Sequence, residues 1–216
     1  MNILALDTST EYCSVALLHG TQLLAREVLA SQRHSELLLP MVAQVLAEAE
    51  SSLKNLDGIA FGAGPGSFTG LRIACGVTQG LAFGAGLPVV PVGSLLALAQ
   101  SVTAARVVAC LDARMGEIYH AAYRRDGDGW QEVVEPNVCR AADAPLPDGE
   151  GWTGCGSGFA VYGEALAQRY RGRLGHVEPG RFPHAREVAI LALPVLQGRA
   201  GLAPVLALPV YVRDKV

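Results

Sequence analysis

The chain has 216 residues, half of them apolar, and a formal net charge of −3. That length holds one large domain or two small lobes with a proper core. The weakly negative balance excludes a protein that grips nucleic acid mainly through its own basic field.

The run NILALD (residues 2–7) ends in Asp7 and reads as a first strand. It lacks the basic leader of a signal peptide. TST is a turn, YCSVALLHG a second strand, GT a corner and QLLAREVL a third strand, so an antiparallel meander opens the chain. From Ser35, a suitable N-cap, apolar residues recur at helical spacing as far as Ala49. Pro40 falls early in that helix and frees one carbonyl, a modest kink at most. LDGIAFG is a buried strand, followed by a glycine-rich loop and a second long apolar segment. LPVVPVG is a strand and Ser94–Ser101 a short helix. RVVACLDA, GEIYHAAYR and WQEVVEP are three more strands. A GCGSG loop then leads to a helix near Phe159–Arg171, and a last helix covers roughly Arg186–Gln197. A meander feeding βα units, present twice, predicts an α/β protein of the actin-like (ASKHA, ribonuclease-H-like) fold with two related lobes. We expect lobes at 1–103 and 104–216, the last segment packing back on the first lobe.

The two halves differ in charge. Residues 1–103 carry four basic and seven acidic side chains, and residues 104–216 carry 13 of each. The leading half therefore expects either an unusually large core or a partner over part of its outside. The five cysteines form no CxxC pair and leave one over, which fits reduced thiols of the cytoplasm serving as small core residues.

FGAGPGSFTGLRIACGVTQGLAFGAG (61–86) has eight glycines and a single charge, Arg72. A P-loop would need a lysine and a following hydroxyl, both missing here. A membrane span would need about 20 apolar residues, and Arg72 and Gln79 interrupt a shorter run. The loop at Gly64 and Gly66 offers backbone N–H groups to an anion at a helix start, or is a plain tight turn. Gly76, Gly80 and Gly84 lie four apart, on one helical stripe. Each interior glycine costs about 0.8–1 kcal/mol against alanine, which close approach of another helix would offset. The stretch thus reads as a packing surface.

ILALDTST…CSVAL, RHSELLLP, GPGSFTGLRIACGVTQGLA, GSLLALA, LDARMGEIYHAAY and LPVYVRD, in that order, resemble the motifs of the bacterial TsaB (YeaZ-type) family. The resemblance covers essentially the whole chain and is weakest over residues 125–185. It implies a non-catalytic subunit required for threonylcarbamoylation of tRNA adenosine 37. Such a subunit heterodimerises with and activates a TsaD-type transferase, works with a TsaE-type ATPase, reaches tRNA through the complex and forms a homodimer when alone. No cofactor is implied in this chain, ATP being bound by the complex. The interface would come from Leu38, Met41, Val42 and Val45 of one helix and Leu71, Cys75, Gly76 and Gly80 of the other.

The catalytic relative needs a His-x-x-x-His pair for its metal, and the matching position here is Val92–Leu96, without histidine. No metal site and no catalytic residue are expected. Asp7, Thr8 and Ser9, with Gly64 and Gly66, are the candidates for residual nucleotide or anion contacts, Asp7 being otherwise a turn-former. An ATP-dependent phosphotransferase using Asp112 or Glu117 is the alternative. Arg169, Arg171 and Arg173 beside Tyr170 are either an RNA contact or a solvated helix end.

Overall fold

Burial of a sheet on both faces explains why the leading strands are unbroken apolar runs rather than alternating ones. β1 (Asn2–Asp7), β2 (Tyr12–His19) and β3 (Gln22–Leu29) form the expected antiparallel meander, with Leu4 opposite Leu17 and Leu6 opposite Val15. The helix α1 (His34–Glu48) follows, then β4 (Gly58–Gly64), α2 (Phe68–Ala85), β5 (Val89–Gly93) and α3 (Ser94–Gln100). β4 pairs parallel with β1, and β5 parallel with β4, so the sheet order is β3-β2-β1-β4-β5. α1 starts one residue before the expected cap, with Arg33 at the N-cap position and no side-chain cap bond. In its place His34 Nε2 donates to the Thr10 carbonyl at 2.9 Å, tying the helix start to the β1–β2 turn.

The structure, a computed structural model, describes residues 1–213. Asp214, which closes the LPVYVRD motif, lies outside the described residues. The chain divides into two compact units, one of Met1–Ala97 with Pro183–Val210, the other of Leu98–Phe182 with the residues from Tyr211 on. The boundary expected at 103/104 thus falls at Ala97/Leu98, and a longer stretch than a closing segment returns to the first unit.

In the second unit, β6 (Arg106–Asp112), β7 (Glu117–Asp126) and β8 (Gly129–Arg140) make another meander. β9 (Trp152–Cys155) lies parallel to β6, and β10 (Leu174–Glu178) parallel to β9. Read from its meander edge, the order β8-β7-β6-β9-β10 repeats β3-β2-β1-β4-β5, strand direction included. The two lobes are therefore related, as expected of the actin-like, ribonuclease-H-like α/β fold. Neither β9 nor β10 is legible in the sequence, since one is four residues long and the other is a largely exposed edge. The helix expected over 159–171 is two helices, α4 (Ser157–Val161) and α5 (Gly163–Arg169). Between them Tyr162 leaves helical geometry at φ −117°, and its hydroxyl donates to Asp112 Oδ1 at 3.2 Å. His120 is buried under α5, its Nε2 2.5 Å from the Tyr170 hydroxyl, which itself donates to the Pro145 carbonyl at 3.0 Å.

The last helix, α6 (Ala185–Gln197), belongs to the first unit because the sheet there has two apolar faces to cover. Leu4, Leu6, Val15, Leu17, Ile59 and Phe61 face α1 and α2. Ile3, Ala5, Ala16 and Ala60 face the stripe Ala185, Val188, Ala189, Ala192 and Leu196 of α6. Alternate residues of β1 thus enter opposite cores.

Candidate functional site

The glycine loop closes on the β1–β2 turn. Ser67 caps α2, its hydroxyl accepting from Gly70 N at 3.2 Å. The Ser67 amide donates to the Ser9 carbonyl at 2.7 Å, and the Thr8 hydroxyl donates to the Gly70 carbonyl at 2.7 Å. A methyl group on Gly66 would collide with the Ser9 carbonyl, and one on Gly70 with the Thr8 carbonyl. Gly64 is buried, with the Val210 carbonyl 2.5 Å from where its Cβ would be. These glycines let the chain approach itself. The structure thus brings Asp7, Thr8, Ser9 and Gly66 together, with the three side chains buried and the Thr8 hydroxyl, the Ser9 hydroxyl and Asp7 Oδ1 hydrogen-bonded within the loop. Of the two readings open in the sequence, the geometry is that of a tight, packed turn.

Asp7 is the electrostatic oddity of that turn. Its Oδ1 accepts from the Ser9 amide at 2.9 Å and the Ser9 hydroxyl at 2.8 Å, while Oδ2 has no hydrogen-bond partner and lies against Gly62, where a methyl group would collide with it. Burial pushes its pKa up to about 7, and the charge of Glu187 on α6 adds to this against the lowering effect of the Ser9 bonds.

α1 and α2 lie side by side on one face of the sheet, and their wider apolar half is spent on it. Leu38, Met41, Val42, Val45 and Cys75, expected at an interface, are buried in the core of their own unit. Leu71 is buried as well, beside Gly64. Those six residues are core and are closed to a partner. Gly76 and Gly80 do face outward, and with Gly84 they are open: a methyl group added at any of the three would meet no atom of this chain within 4 Å. The exposed strip of α2 also carries Phe83, 83% exposed, and Arg72, whose guanidinium lies 3.7 Å over the Phe68 ring. Beside it α1 exposes Leu39, Pro40, Ala43 and Ala47. The sequence signal for this second stripe was present, since Leu39, Ala43 and Ala47 lie four apart, but the larger side chains of the buried stripe overshadowed it. No charged residue occurs from Ile73 to Ala105.

The remaining candidates are engaged in structure. Asp112 accepts from the Arg114 amide and the Tyr162 hydroxyl and pairs with the Arg114 guanidinium at 3.1 Å. Glu117 pairs with Arg213 at 2.5 Å. Arg169 donates to the Ala144 carbonyl and Arg173 to that of Pro147, both at 2.8 Å, so two of the three arginines considered for RNA bind their own loop. Among the described residues no three His, Cys, Asp or Glu side chains converge as metal ligands, and no helix is long and apolar enough to cross a membrane.

Comparison with known proteins gives the chain's relatives. A family model described as TsaD, tRNA N6-adenosine threonylcarbamoyltransferase, matches residues 28–153. The tRNA threonylcarbamoyladenosine biosynthesis protein TsaB of Escherichia coli K12 is 37% identical, over 100% of this chain and 96% of its own. The protein of that name from Haemophilus influenzae is 40% identical, over 80% of this chain and 78% of its own. The solved structure of YeaZ from Pseudomonas aeruginosa is 40% identical with a TM-score of 0.90, covering 97% of this chain and 99% of that one.

Proposed function

Because the chain belongs to the TsaB family, we propose that it is the non-catalytic partner subunit in tRNA threonylcarbamoyladenosine synthesis, heterodimerising in the cytoplasm with a TsaD-type transferase and activating it. One observation carries this reading: the outward strip of α1 and α2 is uncharged at its centre and keeps three helix glycines with nothing over them. Those glycines cost the free chain about 2.5–3 kcal/mol in helix stability. A partner backbone seated on the strip would offset that cost. The match of this chain to a transferase family model supports a pairing of like folds. In the reading, the transferase supplies the catalytic metal, since Val92–Leu96 offers no histidine pair. ATP and a TsaE-type ATPase act on the complex, tRNA is reached through it, and the same strip serves a homodimer when the transferase is absent.

The test is reconstitution of threonylcarbamoyl transfer from threonylcarbamoyl-adenylate to tRNA, using the TsaD-type and TsaE-type proteins with and without this chain. We expect stimulation when it is added and no transfer by it alone. Transfer by the chain alone, or no stimulation, overturns the proposal.

A further inference from the structure

After α6 the chain returns past α2 as a strap with a single 3-10 turn, Pro204–Leu206, at its middle. Leu202 exchanges both backbone hydrogen bonds with Val89, at 2.8 and 2.9 Å. Ala207 is buried, and its carbonyl accepts from Cys75 Sγ at 2.7 Å and Gln79 Nε2 at 2.8 Å. The Val210 amide donates to the Ala63 carbonyl at 2.7 Å. The strap is thus pinned at its start to β5, at its middle to one flank of α2 and at its end to β4, while Ile73 and Val77 of α2 pack into the core cluster that holds α1. With its backbone fixed, the strap turns apolar side chains outward: Val205 is 74% exposed, and Leu206, Leu208 and Val210 are each more than half exposed. No residue from Ala200 to Val212 is charged. An exposed apolar row of this kind marks an interaction surface, and it runs beside the strip of Gly76, Gly80 and Phe83.

We infer that Val205, Leu206 and Leu208 of the strap form a third row of the docking surface, beside α1 and α2, and that its occupant is the TsaD-type transferase. This rests on the proposed function. Two observations favour that occupant: the row lies beside the strip assigned to the transferase, and it carries no charge, like the centre of that strip, so both fit one uncharged partner face. The pinning bonds make the row rigid before docking, which lowers the ordering cost of association.

The experiment compares the wild-type chain with Val205→Asp/Leu208→Glu, with Phe83→Asp on α2, and with Val161→Asp, a comparably exposed apolar position on α4 of the second unit. Each is titrated against the purified transferase by calorimetry, with melting curves recorded in parallel. We expect the strap variant to bind at least tenfold more weakly, Phe83→Asp to weaken binding too, and Val161→Asp to bind as wild type. Should the strap variant melt early, Val205→Ala/Leu208→Ala replaces it and binds several-fold more weakly. Wild-type affinity in the strap variants alongside weakened Phe83→Asp overturns the third row and leaves the proposed function standing. A strap variant that loses only self-association overturns the assigned occupant. No binding by the wild-type chain overturns both readings.

Discussion

Gly70 has no room for a side chain, because the Thr8 carbonyl occupies the place of its Cβ. The obstacle is backbone, held by the Thr8–Gly70 hydrogen bond, so it cannot swing aside as a flexible side chain would. Gly70→Ala should destabilise the protein by about 3 kcal/mol or more, and chemical denaturation measures it. A stability near that of wild type would show that the loop yields. Asp7 makes a second prediction of the same kind. Its folded pKa, about 7 against an ordinary 3.8, means that the folded state binds the extra proton. Its contribution to stability is full below about pH 4 and is lost as pH rises through about 7, a change on the order of 4 kcal/mol. Asp7→Asn should remove that loss, so its melting temperature should stop falling between pH 5 and 8. An unchanged slope in the variant would assign the pH dependence to another group.

Among the elements, α2 carries glycines of two kinds. Gly70 is fixed by contact within the chain, whereas Gly76 and Gly80 stand open. Alanine at either open position meets no obstacle and improves helix propensity, so Gly76→Ala and Gly80→Ala should each stabilise the free chain by about 0.8–1 kcal/mol. If the strip docks a partner backbone, the same methyl groups weaken the complex. Raised melting temperature with reduced affinity for the transferase is the expected pair of results. Raised stability with unchanged affinity would mean that the glycines serve no close approach. The same helix pair shows why sequence reasoning chose the wrong side chains. Helical periodicity finds an apolar stripe but does not say what covers it, and the stripe of Leu38, Met41, Val42 and Val45 is covered by the chain's own sheet.

Across the full chain, buried groups in the two units shift stability with pH in opposite directions. His120, in the second unit, has its pKa lowered to about 4 by burial, so its contribution is full above pH 6.5 and is lost as pH falls toward 4, a change of roughly 3 kcal/mol. Asp7, in the first, acts in the other direction. Both tryptophans, Trp130 and Trp152, belong to the second unit, so their fluorescence reports that lobe alone. Between pH 6.5 and 4 the denaturation midpoint read by tryptophan fluorescence should fall in wild type and fall less in His120→Gln. Equal slopes would remove His120 as the cause.

Local signals in the chain were enough for the two meanders, α1 and α2 and the family, because long apolar runs, helical spacing and motif strings are all read within one segment. They also marked the glycine stretch as a packing surface. Which glycine packs against what became visible only in three dimensions. Gly62, Gly66 and Gly70 are spent on the β1–β2 turn, and Gly76, Gly80 and Gly84 are left open. The folded chain also settled that α6 and the strap close the first lobe, and that Cys75 holds a backbone carbonyl 132 residues away in sequence. The reason is physical: burial and close approach depend on what the rest of the chain brings to a position, and periodicity within one segment carries no record of that.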